Sequence, residues 1–170
     1  MSTDIAFGCS HTFGVGNLPE QSWPTLLGLV NYGSTGVSVD YIARICEPHI
    51  VEHKPRYVYI LWPDWTRFEY ERHGKINQSL PTDSNRIEFI ERDETWLRKN
   101  WLISVCKVEN ICKKHNVTLV DLTLDNLANI IDHSDCWPPA SDNSHYDYRW
   151  HQWVADLFKV RKSFKEYDQA

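Results

Sequence analysis

No apolar run in these 170 residues approaches the about 18 needed for a helix to cross a membrane, so a membrane span is not expected. An excess of basic charge is missing too. Eighteen Lys and Arg against 23 Asp and Glu leave a formal charge of −5, which gives a polyanion no general attraction and removes nucleic acid as a favoured partner. The five cysteines, Cys9, Cys46, Cys106, Cys112 and Cys136, are odd in number and lack the close pairing of a disulfide framework or zinc site. Reduced thiols are expected. Met1 to Phe7 carries no basic segment and contains Asp4, so no secretory leader is expected and the reading is cytoplasmic. Without secretion, the sequons at Asn77 and Asn116 have no consequence. The glycine-studded stretch from Gly8 to Gly16 has no lysine at its end, which argues against a nucleotide-binding P-loop.

What is present suffices for one well-packed domain over residues 1–170, with 42% hydrophobic and 13% aromatic residues to fill a core. Ile5-Ala6-Phe7 is a short buried-strand pattern that runs into the glycine loop. Ser22 and Pro24 then open a helical pattern whose buried face is Leu26, Leu27 and Val30. A second glycine-rich loop, Asn31 to Gly36, precedes a helix from about Ser38 to Glu52, with a bend expected at Pro48. Tyr57 to Trp62 is a continuous β-branched and aromatic run, the pattern of a strand covered on both faces. From Pro63 to about Arg92 the chain turns polar without clear periodicity and reads as an extended insertion. Leu97, Trp101, Val105, Val108 and Cys112 mark one face of a long helix ending near Asn116, and Val117 to Val120 is a further strand. Trp150, Trp153, Val154, Leu157 and Phe158 mark a last helix. Strands alternating with helices predict a three-layer α/β/α sandwich around a flavodoxin-like parallel sheet of four or five strands, with function on the loops beyond the strands' C-terminal ends.

Three of those loops hold candidate chemistry. Gly8-Cys9-Ser10-His11-Thr12-Phe13-Gly14 puts a serine directly after a strand; such a serine also satisfies turns without any catalysis. Asn31-Tyr32-Gly33-Ser34-Thr35-Gly36 is a glycine loop ahead of a helix. Asp142-Asn143-Ser144-His145 lies just before the last helix and offers a carboxylate and an imidazole from one loop, as activation of a serine hydroxyl requires. In this order the three resemble the first, second and last blocks of the SGNH (GDSL-like) serine hydrolases, with Cys9 where that family has aspartate. No Gly-x-Ser-x-Gly elbow of the α/β-hydrolases is present. The phrases Glu20-x-Ser22-Trp23-Pro24 and Arg67-x-Glu69 also resemble the family's phage and marine-type members.

The resemblance covers about half of the chain. It implies ester hydrolysis with Ser10 as nucleophile, His145 as proton shuttle, Asp142 as its orienting partner, and the Ser10 and Gly33 amides as oxyanion donors. Neither a metal nor an organic cofactor is implied, and the substrate is a small-molecule or carbohydrate ester. The family's third block, a Gly-x-Asn-Asp whose asparagine is a further oxyanion donor, is replaced by Trp62-Pro63-Asp64-Trp65-Thr66-Arg67. Arg67 is a substitute donor, since guanidinium hydrogen bonds are charge-assisted; an ion pair with Glu69 or Glu71 is the plainer alternative. His11, Trp62 and Asp64 are the candidate substrate-binding residues, with Trp65 and Trp137 flanking the loops. His49 and His53 read as solvent-facing helix residues, and His151 as the decoy for His145. Two other readings stay open: a carbohydrate-binding or virion-associated module with this fold and no turnover, and an acyltransferase.

Overall fold

A computed structural model describes residues 3–79, 93–124, 127 and 139–167. Its central sheet is built from β1 (Ile5–Gly8), β2 (Val30–Asn31), β3 (Tyr57–Trp62) and β6 (Thr118–Thr123), in the order β2-β1-β3-β6 with every pair parallel. Ile5 lies opposite Val58 and Gly8 opposite Leu61, while Trp62 faces Thr123, so the strands end at a common edge.

Side chains alternate across a strand, and here the two sets enter two cores. Ile5, Phe7, Val58, Ile60 and Trp62 point to one face, where they meet Ile42, Cys46 and Ile50 of α3 (Val39–His53) and Val105 and Val108 of α4 (Glu94–Lys114). Ala6, Tyr57, Tyr59 and Leu61 point to the other, against Trp23 of α2 (Trp23–Leu26) and Trp150, Val154 and Phe158 of α5 (Tyr148–Tyr167). The rings of Trp23 and Phe158 stack at 4.4 Å and 26°. Burial of each such side chain contributes on the order of 2 kcal/mol before entropy is counted. Helices on both faces of a parallel sheet are the expected three layers.

The helix ends follow the sequence signals. Ser38 Oγ accepts from the Tyr41 amide at 3.3 Å and Asp93 from the Trp96 amide at 2.7 Å, each capping the helix that follows. The helix expected through Pro48 continues to His53, and Lys54 closes it at φ 47°. Two expectations are corrected. The helix after Ser22 is a single turn, because Val30, assigned to its buried face, belongs to the edge strand β2. The polar stretch after Pro63 holds an antiparallel hairpin, β4 (Phe68–Arg72) and β5 (Lys75–Ser79), turned at His73 and Gly74, both at positive φ. Residues 80–92 lie outside the described residues, as do Cys136 and Trp137; Cys9, Cys46, Cys106 and Cys112 are free thiols.

Candidate active site

Ser10 opens α1 (Ser10–Phe13), a single turn directly after β1, and is 7% exposed. Gly8 makes that sharp turn feasible: a Cβ there would lie 2.0 Å from Thr12 Oγ1 and 2.8 Å from the Leu61 carbonyl oxygen. The Thr12 and Phe13 amides both donate to the Cys9 carbonyl at 2.9 Å, and Gly14, in the left-handed region at φ 92°, closes the turn on the Ser10 carbonyl.

The chain then doubles back onto the loop of Asp142. The Ser141 amide and hydroxyl both donate to the Gly16 carbonyl, at 3.2 and 2.7 Å, and Asn17 Nδ2 donates to the Tyr146 carbonyl at 2.9 Å. A Cβ on Gly16 would lie 2.7 Å from Ala140 Cβ and 2.8 Å from Asp142 Oδ1, so only a residue without a side chain permits this approach. The Asp142 loop is itself a tight reversal. The Ala140 amide donates to the His145 carbonyl at 2.7 Å, Pro139 bridges Tyr146, and Asn143 takes φ 55° at the tip.

Within this loop His145 Nδ1 lies 2.5 Å from Asp142 Oδ2, while Asp142 Oδ1 accepts the Ser144 and His145 amides at 3.1 Å each. The bond to His145 is the main cause that holds the Asp142 carboxyl below the usual carboxylate range, with the two amides adding to it. Carboxylate and imidazole are 29% and 19% exposed, open to a ligand from solvent. His11, the neighbour of Ser10, brings the two loops together: its ring meets that of His145 edge-on at 5.0 Å and stacks on Tyr146 at 5.6 Å. Burial, followed by the nearby His145 and Arg67, pushes the pKa of His11 down to about 3, so it is neutral and packs as an aromatic ring at neutral pH. Among the described residues Ser10 Oγ has no hydrogen-bond partner, so the hydroxyl is not bonded to His145 in this structure.

The second glycine loop packs directly on α1. A Cβ on Gly33 would lie 2.5 Å from the Phe13 nitrogen and 2.7 Å from the Thr12 carbonyl carbon. Asn31 clamps the two segments, donating through Nδ2 to the Thr12 carbonyl at 2.9 Å and accepting the Gly33 amide on Oδ1 at 2.8 Å. The Gly33 N–H, named from sequence as an oxyanion donor, is thus given to Asn31. Sequence reasoning passed over Asn31, although asparagine two residues before a glycine is a known turn signal.

After β3, the Asp64 carboxylate accepts the Thr66 amide at 2.7 Å and the Thr66 hydroxyl, so it serves its own turn. The turn delivers Arg67 close enough to lower the His11 pKa, and Arg67 Nε and Nη1 are buried without hydrogen-bond partners. The ion pair considered for Arg67 does not involve Glu69, whose carboxylate binds Arg44 at 2.8 Å and Gln78 at 2.9 Å. Trp62 is corrected from a substrate contact to a core residue: it is 0% exposed, and its Nε1 donates to Asp121 at 2.9 Å. Trp65 lies under the Arg98 guanidinium at 4.2 Å. His151 is 1% exposed and its Nδ1 accepts the Trp23 amide at 3.3 Å, with burial lowering its pKa to about 4. It is occupied in the core, whereas His145 faces solvent.

No family model and no curated relative matches the sequence. Solved structures do match in fold. A protein of the G-D-S-L lipolytic family from Desulfitobacterium hafniense superposes with a TM-score of 0.51 at 14% identity, covering 95% of this chain and 99% of that one. TesA matches with a TM-score of 0.53 at 11% identity, over 94% and 97% of the two chains. The psychrotrophic esterase EstA from Pseudoalteromonas sp. matches with a TM-score of 0.50 at 13% identity, over the whole of both chains. The parallel four-stranded sheet with helices on both faces is therefore the fold of the GDSL/SGNH ester hydrolases.

Proposed function

We propose that this chain is a serine esterase that hydrolyses a carboxylic ester through an acyl-enzyme on Ser10. The observation that carries the reading is the Asp142–His145 pair at 2.5 Å, presented beside the Ser10 turn by the contact of His11 with His145. In the reaction His145 Nε2 takes the hydroxyl proton as Ser10 Oγ bonds to the carbonyl carbon. Asp142 fixes the proton on Nδ1 and stabilises the imidazolium that forms. Collapse of the tetrahedral intermediate expels the alcohol, which receives that proton from Nε2. Water then repeats the sequence and releases the acid.

The charge that develops on the carbonyl oxygen needs preorganised donors, each worth about 3–4 kcal/mol at the transition state. Of those considered, the Ser10 amide and the Arg67 guanidinium are favoured over Gly33, because the Gly33 N–H is already given to Asn31 while Arg67 Nε and Nη1 have no partner. The missing bond between Ser10 and His145 favours the second reading, a module with this fold and no turnover. In unliganded hydrolases, however, that bond is often long and tightens only around substrate. Fluorophosphonate labelling separates the two. Label on Ser10, together with loss of p-nitrophenyl acetate turnover in Ser10→Ala, supports the esterase; an unlabelled, folded wild type overturns it. Product analysis with an added acceptor alcohol distinguishes hydrolysis from acyl transfer.

A further inference from the structure

Far along α3 from its capped start, the sequence His49-Ile50-Val51-Glu52-His53 places two imidazoles one turn apart with a carboxylate between them. One atom from each of these three side chains falls in a cluster whose members all lie within 4.8 Å of one another. His49 Nδ1 is 3.6 Å and His53 Nε2 3.8 Å from the same oxygen, Glu52 Oε2. In tetrahedral zinc sites, bond lengths of about 2.0–2.2 Å put neighbouring ligand atoms roughly 3.3–3.5 Å apart, so the two separations from Glu52 need only a small contraction and the two imidazoles close around the ion by side-chain rotation.

Two further observations point to a ligand. His49 Nδ1 is buried and has no hydrogen-bond partner, although a nitrogen cut off from water costs free energy unless something binds it. Tyr32 covers the same cluster: its ring stacks on that of His49 at 3.8 Å and 25°, and its hydroxyl is hydrogen-bonded to His53 Nε2. The phenolic oxygen therefore lies beside one ligand atom, within reach of a fourth position.

We propose that His49, Glu52 and His53 form a binding site for a divalent transition-metal cation of the zinc type, separate from the Ser10 centre. Two imidazoles and one carboxylate suit zinc, cobalt or nickel, whereas calcium and magnesium select oxygen donors. Two neutral imidazoles and one carboxylate leave a bound dication with a net charge of +1. The cation takes the place of the Tyr32 hydroxyl on His53 Nε2. Its effect on the fold is local bracing. Tyr32 follows β2 and precedes Gly33, and Phe7 of β1 stacks on Tyr32 at 5.7 Å and lies 5.9 Å from His49. A cation there cross-links the last turn of α3, the turn that packs on Phe7 and Tyr32 at the edge of the sheet.

Titration of the metal-stripped full chain with Zn²⁺ by calorimetry tests the proposal, with the Co²⁺ ligand-field spectrum reporting geometry. The expected result is one Zn²⁺ per chain, a tetrahedral Co²⁺ spectrum, and affinity lowered at least tenfold in each of His49→Ala, His53→Ala and Glu52→Gln. Glu52 is exposed, so Glu52→Gln leaves folding intact and keeps the test decisive where a histidine variant unfolds. Zn²⁺ also raises the Tm of the wild type and not that of Glu52→Gln, because a ligand that binds only the folded state stabilises it. Absence of binding at 100-fold excess of Zn²⁺, or unchanged affinity in Glu52→Gln, overturns the site. Neither outcome bears on Ser10 labelling.

Discussion

Replacing Asp142 by asparagine isolates one task of that residue. The carboxylate accepts the Ser144 and His145 amides on Oδ1, bonds that hold the loop, and faces His145 Nδ1 on Oδ2. Asparagine keeps its oxygen on the two amides, so the loop is expected to stay in place. Its amide nitrogen then points at Nδ1 and donates, which forces the ring proton onto Nε2. That is the nitrogen required to accept the Ser10 proton, so the imidazole is left in the wrong tautomer. Where such a pair is fully buried the loss is about 10⁴-fold in kcat. Here the two side chains are 29% and 19% exposed, and solvent lets the ring exchange tautomers and screens the carboxylate. The expected fall in kcat/KM on p-nitrophenyl acetate is therefore between about 10² and 10⁴, with KM little changed and circular dichroism and Tm close to wild type. An Asp142→Asn enzyme within threefold of wild type, alongside an inactive Ser10→Ala, would refute the orienting role and with it the triad.

Arg67→Met is expected to lower kcat by about 10²–10³ with a small change in KM, if the guanidinium holds the oxyanion; steady-state kinetics on the same ester decides it. Gly16→Ala forces a Cβ against Asp142 Oδ1 and Ala140 at a backbone φ of 80°, so urea unfolding is expected to show a loss of about 1–3 kcal/mol together with reduced activity. Asn31→Ala removes one hydrogen bond between the glycine loops and one within the second loop, worth about 1 kcal/mol each, and a Tm lower by roughly 4–8 °C is expected by calorimetry. His11 and His151 titrate at about 3 and about 4 in the folded chain, below the unfolded value of 6.5. The unfolded state therefore binds more protons between those limits, and stability is expected to fall as pH drops through that window. The slope approaches about 2.7 kcal/mol per pH unit near pH 5 for two such groups, read from urea midpoints, and His151→Gln should halve it.

The parts of this molecule written in short-range pattern could be read directly. Tyr57 to Trp62 has no charged residue and is built of β-branched, aliphatic and aromatic side chains, the pattern of a strand covered on both faces, and the spacing of Leu97, Val105, Val108 and Cys112 is that of a helix with one buried side. Ser10 and the Asp142–His145 loop could be put forward as candidates because each sits in a short phrase of fixed spacing. The β4–β5 hairpin was not, since its strands are largely charged or amide-bearing and its turn is His73-Gly74 without the usual Asn-Gly or Asp-Gly signal. Strand β2 is two residues long and earns its place from pairing with β1, which no local window reveals. The contacts that assemble the site, Gly16 against Asp142 and Asn31 across two loops, join residues that have no sequence relation. Trp62 misled because an aromatic at the end of a strand looks the same whether it faces a ligand or, as here, Trp101 and Asp121.

The root of the β4–β5 hairpin is pinned where α3 begins. Asp40 accepts the Glu69 amide at 2.9 Å and also binds Ser104 and Asn100 of α4, while Gln78 accepts the Ser38 amide at 2.9 Å. Arg67 immediately precedes this anchored root, and the turn at His73 and Gly74 lies at the opposite end of the ribbon. Sequence drift at that far end would leave the guanidinium where it is, so the ribbon's reach and charge are free to be remodelled without disturbing the surroundings of His11.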